Sequence, residues 1–257
     1  TIAERESKVE NIKPNNEARF VWVDSSKKKT PFSIVYLHGF SASEHEGYPV
    51  HETIAKKYGM NMFLSRLSHH GTEGVGSFDG MTADGLADSA MEAIAIGKQI
   101  GEKVILMGTS TGGTVGLMAQ AFDTTIHAAI YYSPNIRLYD PNAILVRKPF
   151  GVKLVKYITG ADYYRMGKAD LLKDYWTYEY RFEALPVLME LLDETMTEET
   201  FNKVKQPTLV LAYYKNEEEQ DKVVSVVAID EMVESLGTPA DKKVYKKLPT
   251  VGNHVMT

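Results

Sequence analysis

The chain has 257 residues, 44% hydrophobic and 25% charged, which is enough apolar material for one large core or one core carrying an insertion. A formal net charge of −5 leaves no basic footprint for nucleic acid, and the lysine runs at 27–29 and 242–247 read as solvated surface. Cysteine is absent, which excludes disulfides, thiol catalysis and cysteine-based metal sites, and no run approaches the ~18 apolar residues of an integral membrane span.

In chain order, Arg19 to Val23 alternates as an edge strand does, and Phe32 to Leu37 is a continuous apolar run suited to a buried strand. Tyr48 to Tyr58 reads as a helix and Asn61 to Leu64 as a strand. Leu86, Ala90, Ala93, Ile94 and Ile96-Gly97 fall near helical spacing, so Thr82 to Ile100 is predicted helical, capped by Thr82 or Asp84. Val104 to Met107 is a strand, and Thr114 to Ala121 is helix-like. Ile126 to Tyr132, Thr208 to Tyr213 and Lys242 to Leu248 read as further strands, and Val223 to Leu236 as a helix stopped by Gly237. Strands alternating with helices predict an α/β architecture with a mostly parallel sheet flanked by helices.

Residues 135–206 break that alternation: 72 residues separate two strands, far more than an ordinary crossover. This stretch holds 7 of the 15 tyrosines, Trp176 and three phenylalanines. Trp176, Tyr178, Tyr180 and Phe182 alternate, which predicts extended chain, and Pro186 opens a helix to Glu194. The expected organisation is a core of 1–134 and 207–257 carrying a lid, or cap, of 135–206. Its rings either cover an acyl or aromatic group beside the site or form the lid's own small core.

The run Val104-Ile105-Leu106-Met107-Gly108-Thr109-Ser110-Thr111-Gly112-Gly113 joins an apolar strand to a helix through G-x-S-x-G. This is the pattern of a nucleophile elbow, a turn so tight that Gly108 and Gly112 must be small. It lifts the Ser110 hydroxyl clear of the sheet at a helix N-terminus, where developing negative charge is favoured. Such a hydroxyl needs a base, and the base an orienting acid, in the chain order nucleophile, acid, base. His254, in the loop after the last strand, is the base candidate. Of the other histidines only His127 follows Ser110, and it falls within a predicted strand. Asp221, after the strand Thr208 to Tyr213, is the acid candidate, with Glu217 to Glu219 in the same loop as the alternative and an N-cap role as its structural reading. An oxyanion needs two N–H donors. Thr111 follows the nucleophile, and Phe40 lies in the loop His38-Gly39-Phe40-Ser41, where the His38 side chain is expected to support the loop.

No metal and no cofactor are expected. His45 and His51 have the wrong spacing for H-E-x-x-H and are interrupted by Pro49, and the adjacent His69 and His70 point apart in extended chain.

Leu37-His38-Gly39-Phe40, Gly108-Thr109-Ser110-Thr111-Gly112, Asp221 and Gly252-Asn253-His254 together resemble the α/β-hydrolase fold family, from about Phe32 onward. Leu67-Ser68-His69-His70-Gly71 is similar to a His-Gly loop that borders the site in that family. The resemblance implies a cap between the family's sixth and seventh strands and is nearest to carboxylesterases, monoacylglycerol lipases and lysophospholipases. It implies a serine hydrolase acting on a small-molecule ester, with small to medium or lipid-derived acyl groups, through an acyl-enzyme. Aspartate-nucleophile relatives are disfavoured by Ser110. A thioesterase or an amide or peptide hydrolase would use the same triad, and a non-catalytic binding protein on this scaffold is the remote alternative. Oligomeric state is left open. Because the first residue is Thr1, a processed or trimmed chain is expected, in the cytoplasm or exported after loss of an N-terminal segment.

Overall fold

A computed structural model describes residues 1–167 and 173–256. Seven strands form one sheet: β1 (Arg19–Val21), β2 (Thr30–Leu37), β3 (Asn61–Leu64), β4 (Gly101–Thr109), β5 (Ala128–Tyr132), β8 (Thr208–Tyr213) and β9 (Lys243–Leu248). Their order is β1-β3-β2-β4-β5-β8-β9. All neighbours are parallel except β1 with β3. This is the predicted α/β fold, with the edge strand where alternation placed it.

The sheet is covered on both faces, which is why its central strands read as unbroken apolar runs. Along β2, Val35 and Leu37 join the larger core cluster, while Ile34 and Tyr36 join the smaller one on the other face. Helix α3 (Ala83–Ile100) and helix α4 (Thr111–Phe122) pack on the first face. Helix α2 (Val50–Tyr58) packs on the second through Ala55 and Ile54. Each large side chain so buried contributes about 1.5–3 kcal/mol. Thr82 caps α3, its hydroxyl accepting from Gly85 N–H at 3.0 Å.

Several boundaries differ from the expected ones: the helix expected to open at Pro186 opens at Ala184, and the strand expected from Ile126 starts at Ala128. Helix α8 runs Val226–Ser235 and starts later than Val223, because the Asp221 carboxylate takes the N–H groups of Val223 and Val224 and Ser225 takes the cap. Gly237 is no left-handed stop. A side chain there would meet Asn202 O at 2.2 Å, so its smallness serves close packing.

Within 135–206 lie a 3-10 turn (Pro141–Arg147), helix α5 (Gly151–Thr159), strands β6 (Tyr163–Arg165) and β7 (Glu179–Arg181), helix α6 (Ala184–Thr195) and helix α7 (Glu198–Lys203). β6 and β7 pair antiparallel. Residues 168–172 of the expected lid lie outside the described residues. Tyr180, Ala184, Leu191, Phe201 and Val204 join the main cluster, whereas Val146, Met189 and Leu192 form a small one. No helix among the described residues is long and apolar enough to cross a membrane.

Candidate active site

Parallel strands place their C-terminal ends, and the loops after them, along one edge. β4 ends at Thr109 and α4 begins at Thr111, so a single residue makes the turn. That residue, Ser110, has φ 53° and ψ −119°, a backbone state that side chains rarely adopt. Four backbone bonds hold it there. Ser110 N–H donates to Tyr132 O at 3.0 Å, and Ser110 O accepts from Gly113, Thr114 and Asn135 at 2.9, 3.2 and 3.0 Å. The tightness is quantitative: a Cβ on Gly112 would lie 1.8 Å from Leu37 O, and one on Gly108 would lie 2.7 Å from the Gly112 carbonyl.

The loop after β8 carries Asp221, 1% exposed. Its Oδ1 accepts from Val223 N–H at 2.8 Å and Val224 N–H at 3.1 Å, while its Oδ2 accepts from His254 Nδ1 at 2.6 Å. Burial pushes the Asp221 carboxyl up. The His254 bond and charge, the Val224 N–H and the Ser133 hydroxyl beside it outweigh burial, and the group ends below its ordinary value. The alternative acids are all exposed, and two are occupied elsewhere: Glu217 accepts from Tyr214 and Glu219 pairs with Lys215. His254 lies in the loop after β9, with Met256 beyond it packed on the smaller cluster beside Tyr36 and Tyr132. With Nδ1–H donated to Asp221, Nε2 of a neutral ring carries the lone pair that a base needs. Among the described residues no hydrogen bond joins Ser110 Oγ to His254. In free enzymes such bonds are often long and tighten with substrate. His127 sits just before β5, at the opposite end of the sheet from Ser110.

The loop after β2 faces the elbow. A Cβ on Gly39 would lie 3.1 Å from Ser110 Cβ, so this backbone passes directly against the serine. Among the described residues neither Phe40 N–H nor Thr111 N–H has an acceptor. The Phe40 ring packs away from them, against His70, Phe78 and Tyr180. His38 is fully buried. Its Nδ1–H donates to Gly39 O at 2.9 Å, and its Nε2 accepts from Leu67 N–H at 3.0 Å. Burial lowers its pKa to about 4, so it stays neutral and acts as a brace.

Sequence reasoning missed two groups here. Ser133, with φ 39°, follows β5 beside Asp221. Glu46, 3% exposed, accepts from Gly39 N–H at 2.6 Å. Its neighbourhood in the sequence, His45-Glu46-Gly47, shows only a failed zinc spacing. A carboxylate's burial is decided by partners remote in the chain.

A strained serine between strand and helix, at the carboxyl edge of a mostly parallel sheet beside a His–Asp pair, defines the class of α/β-hydrolase proteins. The chain belongs to the alpha/beta hydrolase family, whose model matches residues 34–256. Among solved structures, one from the metagenome-derived lipolytic enzymes LipS and LipT superposes with TM-score 0.76 at 17% identity, covering 95% of this chain and 91% of that one. A soluble variant of monoglyceride lipase from Saccharomyces cerevisiae gives 0.67 at 14%, covering 96% and 90%. The Paleococcus ferrophilus monoacylglycerol lipase gives 0.61 at 16%, covering 93% and 90%. These likenesses carry the fold. No curated protein sequence matches the chain.

Proposed function

We propose that this hydrolase cleaves carboxylic esters through a covalent acyl-enzyme on Ser110. His254 removes the Ser110 proton as the hydroxyl attacks the ester carbonyl, then gives that proton to the leaving alcohol. Asp221 fixes the imidazole tautomer and stabilises its cation. The Phe40 and Thr111 N–H groups take the charge that develops on the carbonyl oxygen. Water, deprotonated by His254, then releases the acid and restores Ser110.

The observation that carries this reading is the 2.6 Å bond from His254 Nδ1 to a buried Asp221, in the same edge of the sheet as a serine held at positive φ. Two otherwise unoccupied N–H groups flank that serine. The lipolytic and monoacylglycerol-lipase neighbours support an ester with an apolar acyl chain. The aromatic residues of 135–206 add support: Tyr180 packs on Phe40, so the candidate oxyanion loop borders an aromatic wall.

A fluorophosphonate probe should label Ser110, and a panel of p-nitrophenyl esters of increasing chain length should show turnover that Ser110→Ala lowers by about 10⁴-fold or more with the fold intact. Wild-type turnover in Ser110→Ala, measured on folded protein, would refute the proposal.

A further inference from the structure

Glu46 is a buried charged group that this chemistry leaves unused. It sits in the 3-10 turn Glu44–Gly47, on the smaller-cluster face of the sheet beside Tyr36. Its carboxylate reaches the candidate oxyanion loop at one point. Oε2 accepts from Gly39 N–H at 2.6 Å, and a Cβ on Gly39 would meet Oε1 at 2.8 Å and Ser110 Cβ at 3.1 Å. The carboxylate and the elbow thus press on the same face of one glycine. The far side of that residue is held as well, since Gly39 O accepts from His38 Nδ1 and from Ala42 N–H at 3.2 Å. Glu46 thus holds the peptide before Gly39, and the two bonds to Gly39 O hold the peptide after it, which carries the Phe40 N–H.

We propose that Glu46 is a positioning residue of the oxyanion loop, its ionised carboxylate holding Gly39 so that the Phe40 N–H stays aimed at the oxygen bound beside Ser110. This rests on the ester-hydrolase reading above. Three features favour it. A charge-assisted bond from a backbone N–H to a carboxylate is about twice as strong as a neutral one. Burying a carboxylate is costly, so the bond to Gly39 is what such a site offers in return. The titratable groups that face Glu46 are Tyr36 from β2 and His254 from the C-terminal loop. The attraction between the carboxylate and a protonated His254 favours the ion pair that forms during attack. Burial raises the Glu46 pKa to about 7, so the carboxylate is ionised above neutral pH.

The test compares wild type, Glu46→Gln and Glu46→Ala in full-length protein, by ester turnover across pH and by fluorophosphonate labelling. Glu46→Gln keeps the shape and an acceptor for Gly39 but loses the charge. It is expected to lower kcat about tenfold with KM within about twofold, and Glu46→Ala to lower kcat further. The acid limb of the wild-type kcat profile should be steeper than a single-proton limb, and Glu46→Gln should reduce it to one proton. Wild-type kcat and an unchanged acid limb in Glu46→Gln would overturn the proposal, whether or not Glu46→Ala folds. Labelling separates this from the parent reading. An unlabelled Ser110 in wild type sinks ester hydrolysis itself, whereas a labelled wild type with an indifferent Glu46→Gln sinks only the role of Glu46.

Discussion

At the scale of single residues, geometry turns small differences into all-or-none effects. Gly112 has no room for one methyl group, because Leu37 O would lie 1.8 Å from it. Gly112→Ala should therefore force the elbow open, cost several kcal/mol and remove ester turnover, as thermal unfolding and kinetics would show. Asp221→Asn should keep the fold but leave His254 in the wrong tautomer, lowering kcat by about 10⁴-fold. Glu46 yields a pH prediction. In the unfolded chain it ionises near its ordinary 4.5, and in the fold at about 7, so the folded state holds the extra proton between those values. Its contribution to stability is complete below about pH 4.5 and is lost as pH rises through 7, by on the order of 3 kcal/mol. Urea unfolding at about pH 5 and about pH 9 should show a smaller decline for Glu46→Gln than for wild type. An equal decline in both would sink this account.

At the scale of elements, the long strands and α3 were legible because their residues bury faces with a fixed period. The short elements were legible only in part: β1, β3 and the extended chain at β7 showed, whereas α1 (Ile2–Glu6), α7 and β6 have too few residues for a period to show, and tertiary contacts decide them. The 135–206 stretch shows how. Lys13 is buried, and its ammonium donates to Trp176 O at 2.5 Å and Lys173 O at 2.6 Å. Asn16 donates to Asp174 O at 2.9 Å, and Thr177 N–H reaches Ser41 O at 2.7 Å. Lys13 and Asn16 thus hold residues 173–176 against the N-terminal segment, and Thr177 ties them to the loop after β2. The His45 and Tyr175 rings stack across the same seam, with centroids 3.7 Å apart. Lys13→Met should leave two carbonyls without their donor. Hydrogen exchange at Thr177 and its neighbours should then quicken by about tenfold or more, while that of β4 stays unchanged.

At the scale of the molecule, the candidate site draws on loops after β2, β4, β5, β8 and β9, so one sheet edge gathers residues from 38 to 254. The sheet does not need the last loop to fold, because β9 ends at Leu248 and pairs fully with β8 before it. Removing residues 251–257 should therefore abolish ester turnover while the sheet still folds, with thermal unfolding lowered by the loss of the Met256 packing and of the His254 partner of buried Asp221. The amino-acid sequence by itself determined the alternation of strands and helices, the tight turn at Ser110 and the chain order of Ser110, Asp221 and His254, since periodicity and tight turns are local properties. Only the tertiary structure paired His254 with Asp221 while leaving Glu217 to Glu219 exposed, tied the 173–177 segment to Lys13, Asn16 and Ser41, and set Glu46 against Gly39. Those outcomes depend on which polar groups are buried together, and burial is a property of contacts between distant parts of the chain.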